Sequence, residues 1–340
     1  MDVVTQALAS VTLSRAAFAR TTRLATPILL ATALAPDLDL LSSFAGADAY
    51  LRFHRTLLHS LLGAVILATA VAALACFADH RLLRSTPAEP LGFARAFGIC
   101  LIGVAFHDVL DLVNSGGVQL FWPFHSKWYA WNLTANLDPW ILAVLVAGLL
   151  LHSLFNLVSE EIGGQKKKHP GRKLWAIAAL GIVALYIVAR GVLHARAVDL
   201  LVSRSYLGAI PIAAGAFPTS ISPFEWRGVV GTDNVLIELE VPLGPGANFD
   251  SEGGVIHYKP DPTPALSAAQ KSAAATRFLA YAKFPLAALQ PGLDGTHFEF
   301  RDLRFPAGSA SDDNLVALVV VDQELHIVHE EIRFARSKVR

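Results

Sequence analysis

Charged side chains are scarce in this chain. Only 16% of its 340 residues are Asp, Glu, Lys or Arg, whereas 54% are hydrophobic, and the mean hydropathy is +0.47. Soluble domains of this length carry a larger charged fraction. The composition therefore excludes an ordinary soluble domain and predicts a membrane protein, with the lipid bilayer as its first partner.

The chain also lacks net charge and has little cysteine. Lys and Arg together number 28, as do Asp and Glu, so the formal net charge is zero and gives no support to a nucleic-acid partner. The two cysteines, Cys76 and Cys100, both lie within apolar runs, so we expect no disulfide framework.

Long apolar runs are what the chain does have. Four of them have about the length of a membrane helix, at 57–78, 97–113, 140–158 and 174–193, and weaker apolar stretches at 3–19 and 24–35 precede them. From about residue 196 the sequence becomes rich in Pro and Gly and alternates in polarity. We therefore predict an α-helical polytopic membrane domain over 1–195, followed by a small α+β extramembrane domain over 196–340.

The second domain carries patterns typical of strands and one helix. Strands are predicted at 234–241 and 296–305, a hairpin at 315–328, and a helix between 264 and 283. The run Phe300-Arg301-Asp302-Leu303-Arg304 is interpreted as structural strand and turn positions. No catalytic constellation is recognisable in this domain from the sequence.

Lys and Arg fall mainly in alternate loops, which predicts the orientation in the membrane because short cytoplasmic loops carry the excess. The opposite loops contain only Arg52, Arg55 and Lys127. Loops 36–56 and 114–138 are then on the outer side, as is the domain that ends the chain. The basic set, predicted to be cytoplasmic, comprises Arg15, Arg20, Arg23, Arg81, Arg84, Arg95, Lys166, Lys167, Lys168, Arg172 and Lys173.

Three polar motifs would meet at this outer face. Two carboxylates follow Pro36, two histidines bracket the start of the 57–78 helix, and a His/Asp pair lies one turn apart at the end of the 97–113 helix. Ionisable groups at membrane depth are costly, so a cluster of them indicates function. The six candidate ligands are Asp37, Asp39, His54, His59, His107 and Asp111.

These ligand types favour zinc or manganese over calcium. Six ligands exceed the three that a catalytic zinc commonly uses, so two arrangements remain open: a two-metal site, or one metal with further carboxylates that orient the imidazoles. Arg55 could hold a phosphate or carboxylate of a substrate. Asp138 is predicted to cap a helix, and Asp108, on another helical face, is interpreted as a solvated helix-end residue.

In this combination the motifs resemble a family of metal-dependent hydrolases of the bacterial inner membrane, the YdjM and YfhP type. That family's pattern runs Met-Asp and Thr-His, Pro-Asp-x-Asp, His-Arg-x-x-x-His-Ser, and His-x-x-x-Asp before a Gly-containing loop. This chain resembles it from Met1-Asp2 to Gly116-Gly117 and departs at Thr5-Gln6, where an amide replaces the histidine. The resemblance covers about residues 1–160 and implies a hydrolase with a multi-pass inner-membrane location, and the outer domain would then be periplasmic.

Three functions follow as hypotheses. The favoured one is metal-dependent hydrolysis of an ester or phosphoester in a small-molecule or lipid substrate, such as an envelope component. The alternative is a non-catalytic metal-binding or transport protein. A third is a structural anchor for the outer domain. Transport requires polar groups that continue through the bilayer, and the almost wholly apolar middles of the 57–78, 140–158 and 174–193 spans favour a surface site instead.

Overall fold

The computed structural model describes residues 1–82, 90–161, 171–306 and 313–335. Arg84 and Lys166 to Lys168, which contribute to the predicted cytoplasmic set, lie outside the described residues. The chain forms two compact units. The first comprises residues 1–39 and 55–191, and the second comprises residues 40–54 and 192–340.

The first unit is built from helices. Helix α1, Val3–Leu13, begins where the Asp2 carboxylate accepts a hydrogen bond from the Thr5 backbone N–H, and a π-helical turn, Ser14–Phe18, extends it. The longer helices are α2 (Ala25–Leu34), α4 (Leu61–Leu82), α5 (Phe93–Val113), α6 (Pro139–Glu161) and α7 (Gly171–Val202). Between α2 and α4 lie a 3-10 segment, Pro36–Ala45, and the short helix α3, Ala47–Phe53, most of which belong to the second unit.

Four helical stretches among the described residues are long and apolar enough to cross a membrane: Ala25–Ala45, Leu61–Arg81, Phe93–Val113 and Gly171–Val202. Three of them coincide with predicted spans. The first was expected to be weak and short, but the 3-10 segment lengthens α2 to 21 residues. Helix α6 forms where the 140–158 span was predicted, although its apolar part with described side chains, Pro139–Leu151, is shorter.

Small residues let these helices pack closely, as is usual in membrane bundles. At Gly103 on α5, an added Cβ would lie 2.1 Å from Thr32 Oγ1 and 2.9 Å from a Leu29 methyl on α2. At Gly148 on α6, it would lie 2.4 Å from the Ala179 methyl on α7. The contact between α2 and α5 matters for the site, because the ends of these two helices carry two of the three polar motifs.

The second unit contains two four-stranded antiparallel sheets. One has the order β1 (Ala213–Pro218), β2 (Glu225–Gly231), β3 (Val235–Pro242), β4 (Val255–Tyr258), and the other β5 (Pro285–Gly292), β6 (Gly295–Asp302), β7 (Leu315–Val321), β8 (Ile327–Phe334). The final turns of α7, from residue 192, belong to this unit and pack against the first sheet, with Ala197 and Leu201 in one core cluster with Trp226. The predicted fold class and the hairpin β7–β8 are thus confirmed.

The helix predicted between 264 and 283 is two helices, α8 (Pro264–Gln270) and α9 (Ala273–Tyr281). The break falls at Ser272, whose hydroxyl accepts a hydrogen bond from the Ala275 N–H and so starts a new helix. Helix α9 packs on β7 and β8 and buries Phe278 completely, so one face of the second sheet is covered by helices.

Candidate metal centre

The described residues bring four of the predicted ligands together. His107 and Asp111 lie one turn apart on α5, His59 lies two residues before α4, and Asp37 follows α2. One ligand atom from each of them lies within 4.8 Å of the other three. His59, His107 and Asp111 have no exposed surface, so this polar group lies inside the unit and not on a solvated face.

The distances within this group fit a single cation. The Nε2 atoms of His59 and His107 are 3.2 Å apart. Asp111 Oδ2 lies 3.3 Å and 3.8 Å from these two nitrogens, and Asp37 Oδ1 lies 3.7 Å and 3.8 Å from them. A tetrahedral zinc ion with ligand atoms at about 2.0–2.1 Å separates neighbouring ligand atoms by about 3.3 Å.

Both histidines are oriented through their other ring nitrogen. His107 Nδ1 lies 2.9 Å from the Ala33 carbonyl oxygen, which can only accept, so this nitrogen carries the proton. His59 Nδ1 lies 3.1 Å from Asp39 Oδ2. In their neutral forms, the two rings therefore turn bare Nε2 lone pairs toward each other. Metal-binding histidines commonly show this arrangement, with the distal nitrogen bonded to a carboxylate or a carbonyl.

The same group attracts a proton when no metal is bound. Burial by itself lowers the pKa of His59, but hydrogen bonds with the carboxylates of Asp111, Asp37 and Asp39 outweigh it and raise that pKa well above its ordinary value. Either a proton or a metal ion can thus satisfy the two facing lone pairs. The four side chains are therefore a group that could hold a metal ion, and a metal measurement distinguishes the metal-bound state from the protonated one.

Asp39 and Arg55 lie beside the four-residue group and contact its members. Asp39 Oδ2 accepts a hydrogen bond of 2.9 Å from the Arg55 N–H in addition to its contact with His59. Arg55 has a φ of 58°, a backbone conformation that few residues other than glycine adopt, and its guanidinium Nε lies 3.6 Å from Asp111 Oδ2. A strained backbone that holds a buried arginine beside a candidate ligand is typical of functional sites.

Gln6 holds the other oxygen of Asp111. Its Nε2 donates to Asp111 Oδ1 at 3.1 Å and lies 3.3 Å from the His107 carbonyl oxygen, and the Met1 amine donates to the same carboxylate oxygen. Gln6 is completely buried. The position at which the chain departs from the family pattern therefore lies in direct contact with a candidate ligand.

Buried polar atoms without a hydrogen-bond partner among the described residues concentrate in this region. Each such atom costs about 1–3 kcal/mol if nothing polar contacts it. A cation with its water molecules would satisfy several of them, so the arrangement fits a metal. The atoms on α1, on α5 and on the segments that follow α2 and α5 include Thr5 Oγ1, Gln6 Oε1, Ser10 Oγ, Asp37 Oδ2, Asp108 Oδ1, Asp111 Oδ2, Asn114 Nδ2, Asn132 Oδ1 and Thr134 Oγ1.

The four-residue group does not include the other two predicted ligands. Asp39 contacts His59 as an orienting carboxylate, and the His54 ring packs on Tyr50 with ring centroids 4.5 Å apart. The assignment of all six residues as ligands remains a prediction. Asp138 caps α6 as expected, because its Oδ1 accepts from the Trp140 and Ile141 N–H groups.

The interpretation of Asp108 as a solvated residue is wrong. Its side chain is buried, with 4% of its surface exposed, although it precedes the end of α5 by five residues. Helix α5 is buried over more than one face, so a different helical face from His107 does not mean exposure. The signal that could have identified Asp108 is its place one turn before Asp111, at a spacing of three residues.

Comparison with known proteins agrees with the location of these motifs. A family model described as YdjM inner membrane protein matches residues 1–197. The match contains all six predicted ligands and most of α7, and it ends before β1. No curated protein and no solved structure matches the chain.

Proposed function

The chain belongs to the YdjM inner membrane protein family, and from this premise we propose that it is a membrane-bound, metal-dependent hydrolase of an ester or phosphoester. The facing Nε2 atoms of His59 and His107, each ring oriented through Nδ1, are the observation that carries the proposal. Asp37, His59, His107 and Asp111 would hold the metal. A bound zinc or manganese ion supplies Lewis acidity and lowers the pKa of water at the site toward neutrality.

The neighbouring side chains have separable tasks in this proposal. Asp39 keeps the Nδ1 proton on His59 and so directs Nε2 inward. Arg55, buried beside Asp111, binds the anionic or developing anionic group of the substrate through its forked guanidinium. We assign proton exchange at the site to Asp108, a buried carboxylate one turn before Asp111 on α5.

A lipid or other envelope component is the substrate class that the surroundings favour. The segment after α5 exposes Phe121, Phe124 and Trp131, and aromatic side chains of this kind settle at a membrane interface. A site beside such a segment is accessible to a molecule that lies in the bilayer. The proposal places this face and the second unit on the periplasmic side, in accordance with the distribution of basic residues.

One feature favours transport, the alternative function. Gln6 and Ser10 on α1 and Ser14 at the start of the π-helical turn recur at intervals of four residues and are all completely buried. Ser14 continues this polar face to α2 through a hydrogen bond of 2.7 Å with Thr26. A buried polar face that leads away from a cation site along a helix is what a proton or metal pathway requires.

A measurement of substrate hydrolysis distinguishes the proposed hydrolase from a transport protein. The purified protein in detergent would be loaded with zinc or manganese and assayed with p-nitrophenyl phosphate, p-nitrophenyl acetate and a bacterial lipid extract. We expect chelator-sensitive hydrolysis of at least one substrate class that Asp111→Asn abolishes. In proteoliposomes, metal uptake without hydrolysis, lost in Ser10→Leu, would instead establish transport and contradict the proposed hydrolase.

A further inference from the structure

The second unit contains a cavity that takes no part in the candidate metal centre. Its volume is about 1190 Å³, and it lies between the two sheets. The family match ends at residue 197, so all of the lining except Gly46 and Ala47 lies outside the matched residues. Charged side chains dominate the polar part of its lining, namely Glu238, His257, Glu299, Arg301, Asp302, Glu331 and Arg333.

The second sheet arranges four of these charges in two rows on one face. Arg301 on β6 and Arg333 on β8 flank Val316 of β7 in one row. Glu299 and Glu331 flank Leu318 in the next row. Alternate strands lie roughly 10 Å apart and successive rows roughly 7 Å apart, so long side chains from both outer strands can converge above β7. The face therefore presents a cationic row beside an anionic row.

Other charged groups near the cavity are already paired. Glu238 contacts Arg227 at 3.2 Å and His257 at 2.9 Å. Asp302 binds the buried Arg304 at 2.6 Å and also accepts hydrogen bonds from the Lys283, Phe284 and Arg304 backbone N–H groups. These carboxylates are not available to a ligand. On the second sheet, Glu331 contacts His329 and Arg333 only at 3.9 Å, close to the limit for an ion pair, so the two rows hold the more weakly paired charges.

Arg301 has a hydrogen-bond donor that is not satisfied. Its Nε atom is buried and has no hydrogen-bond partner among the described residues. Alternating Arg and Glu residues also keep exposed strands soluble, but Arg301 is only partly exposed and its Nε atom is shielded from solvent. A buried donor without an acceptor is costly, and a ligand that binds the Arg301 guanidinium from the cavity can supply one.

We propose that this cavity binds a zwitterionic small molecule. Its phosphate or carboxylate group lies between Arg301 and Arg333, and its protonated amine lies against Glu299 and Glu331. A ligand with only a negative charge, bound at the arginines, would lie beside the two repelling carboxylates of the adjacent row. A ligand with only a positive charge, bound at the glutamates, would lie beside the two repelling guanidinium groups. Only a ligand with both charges, separated by about one row spacing of roughly 7 Å or less, matches the whole face.

Calorimetric titration of the full-length protein in detergent tests the proposal. Phosphoethanolamine and the dipeptide Gly-Gly are the zwitterionic probes, and the tighter of the two identifies phosphate or carboxylate as the anionic group. Inorganic phosphate and ethanolamine carry one charge each. We expect at least one zwitterion to bind about tenfold or more tightly than either singly charged probe, as one additional charge-assisted contact implies.

Substitutions in the two rows sharpen the test because arginine and glutamate variants should have opposite effects on the binding of inorganic phosphate. Arg301→Gln should weaken binding of both the zwitterion and inorganic phosphate about tenfold or more, and Arg333→Gln should act in the same direction. Glu299→Gln should weaken the zwitterion yet strengthen inorganic phosphate, because it removes a repelling carboxylate. Arg204→Gln and Glu240→Gln, exposed residues outside the cavity lining, are the matched controls. Absence of binding to every probe, or equal effects of cavity and control substitutions, would overturn the proposal.

Discussion

Asp39 contacts both His59 and the backbone of Arg55 through a single carboxylate oxygen. The sequence motif Pro36-Asp37-Leu38-Asp39 predicts that both carboxylates belong to the site, but it does not tell which of them faces the cation. That distinction depends on the 3-10 turns that begin at Pro36, which turn Asp37 toward both Nε2 atoms and Asp39 toward Nδ1 of His59. The residue types were predictable, and the different contacts of the two carboxylates were not.

Substitution of Asp39 tests this division. Asp39→Asn keeps an acceptor for His59 Nδ1 but removes the charge, so zinc affinity should fall about 10- to 100-fold without loss of the site. His59→Ala should remove binding almost entirely. Zinc titration of the apo protein with a competing chelator measures both, with Asp250→Asn, an exposed carboxylate of the second unit, as control. If Asp39→Asn loses zinc as completely as His59→Ala, Asp39 is itself a ligand.

A substitution at Gln6 is predicted to increase zinc binding, whereas those at Asp39 and His59 decrease it. A histidine at this position would place an imidazole beside Asp111, where Gln6 now donates a hydrogen bond at 3.1 Å. Imidazole binds zinc far better than a neutral amide, so Gln6→His should raise zinc affinity or stoichiometry. Gln6→Leu is the control that removes the amide without adding a ligand. Equal affinity and stoichiometry in Gln6→His and the parent would show that position 6 only supports Asp111.

At the scale of elements, the site depends on how closely α2 and α5 approach. His107 binds the Ala33 carbonyl near the end of α2, and this contact requires the absence of a side chain at Gly103. Apolar runs predicted both helices, because their length and composition are read directly from the sequence. The close approach at one glycine was not predicted, since it depends on which faces of the two helices meet.

Gly103→Ala should therefore disturb both packing and the site. The new Cβ would lie 2.1 Å from Thr32 Oγ1, and overpacking of this kind costs about 1–3 kcal/mol. We expect a lower thermal midpoint in detergent and weaker zinc binding. Gly98→Ala is the matched control, because on the same helix its Cβ has no neighbour within 4 Å. Equal midpoints for the two variants would contradict the close contact between α2 and α5.

At the scale of the whole molecule, composition and apolar runs were enough to predict a helical membrane region followed by a smaller domain with strands. They did not predict that residues 40–54 group with the second unit. Tyr50 explains part of this grouping, because its hydroxyl donates to Asp313 at 3.0 Å, a contact between residues 263 positions apart. Contacts at such separation leave no local pattern in the sequence, so neither this grouping nor the cavity between the sheets could be derived from it.

Orientation in the membrane is the prediction that belongs to this scale. A reporter fused after Arg340 should behave as periplasmic, because the loops rich in Lys and Arg are expected to be cytoplasmic. Paired phosphatase and fluorescent-protein fusions measure it, and a fusion in the loop after Arg81 should give the reverse result. A reporter at Arg340 that is active only in the cytoplasm would reject the orientation and the outer location of the site.

Metal content of the purified protein tests the central claim most directly. Elemental analysis after exposure to zinc and manganese should find one or two ions per chain, with one favoured by the four converging ligand atoms. His107→Ala and Asp111→Ala should empty the site while the protein remains inserted in the membrane, and His54→Ala should retain the metal. A parent protein that remains metal-free after loading, or unchanged metal content in His107→Ala and Asp111→Ala, would contradict the account. A proton shared between His59 and His107 would then explain why their Nε2 atoms face each other.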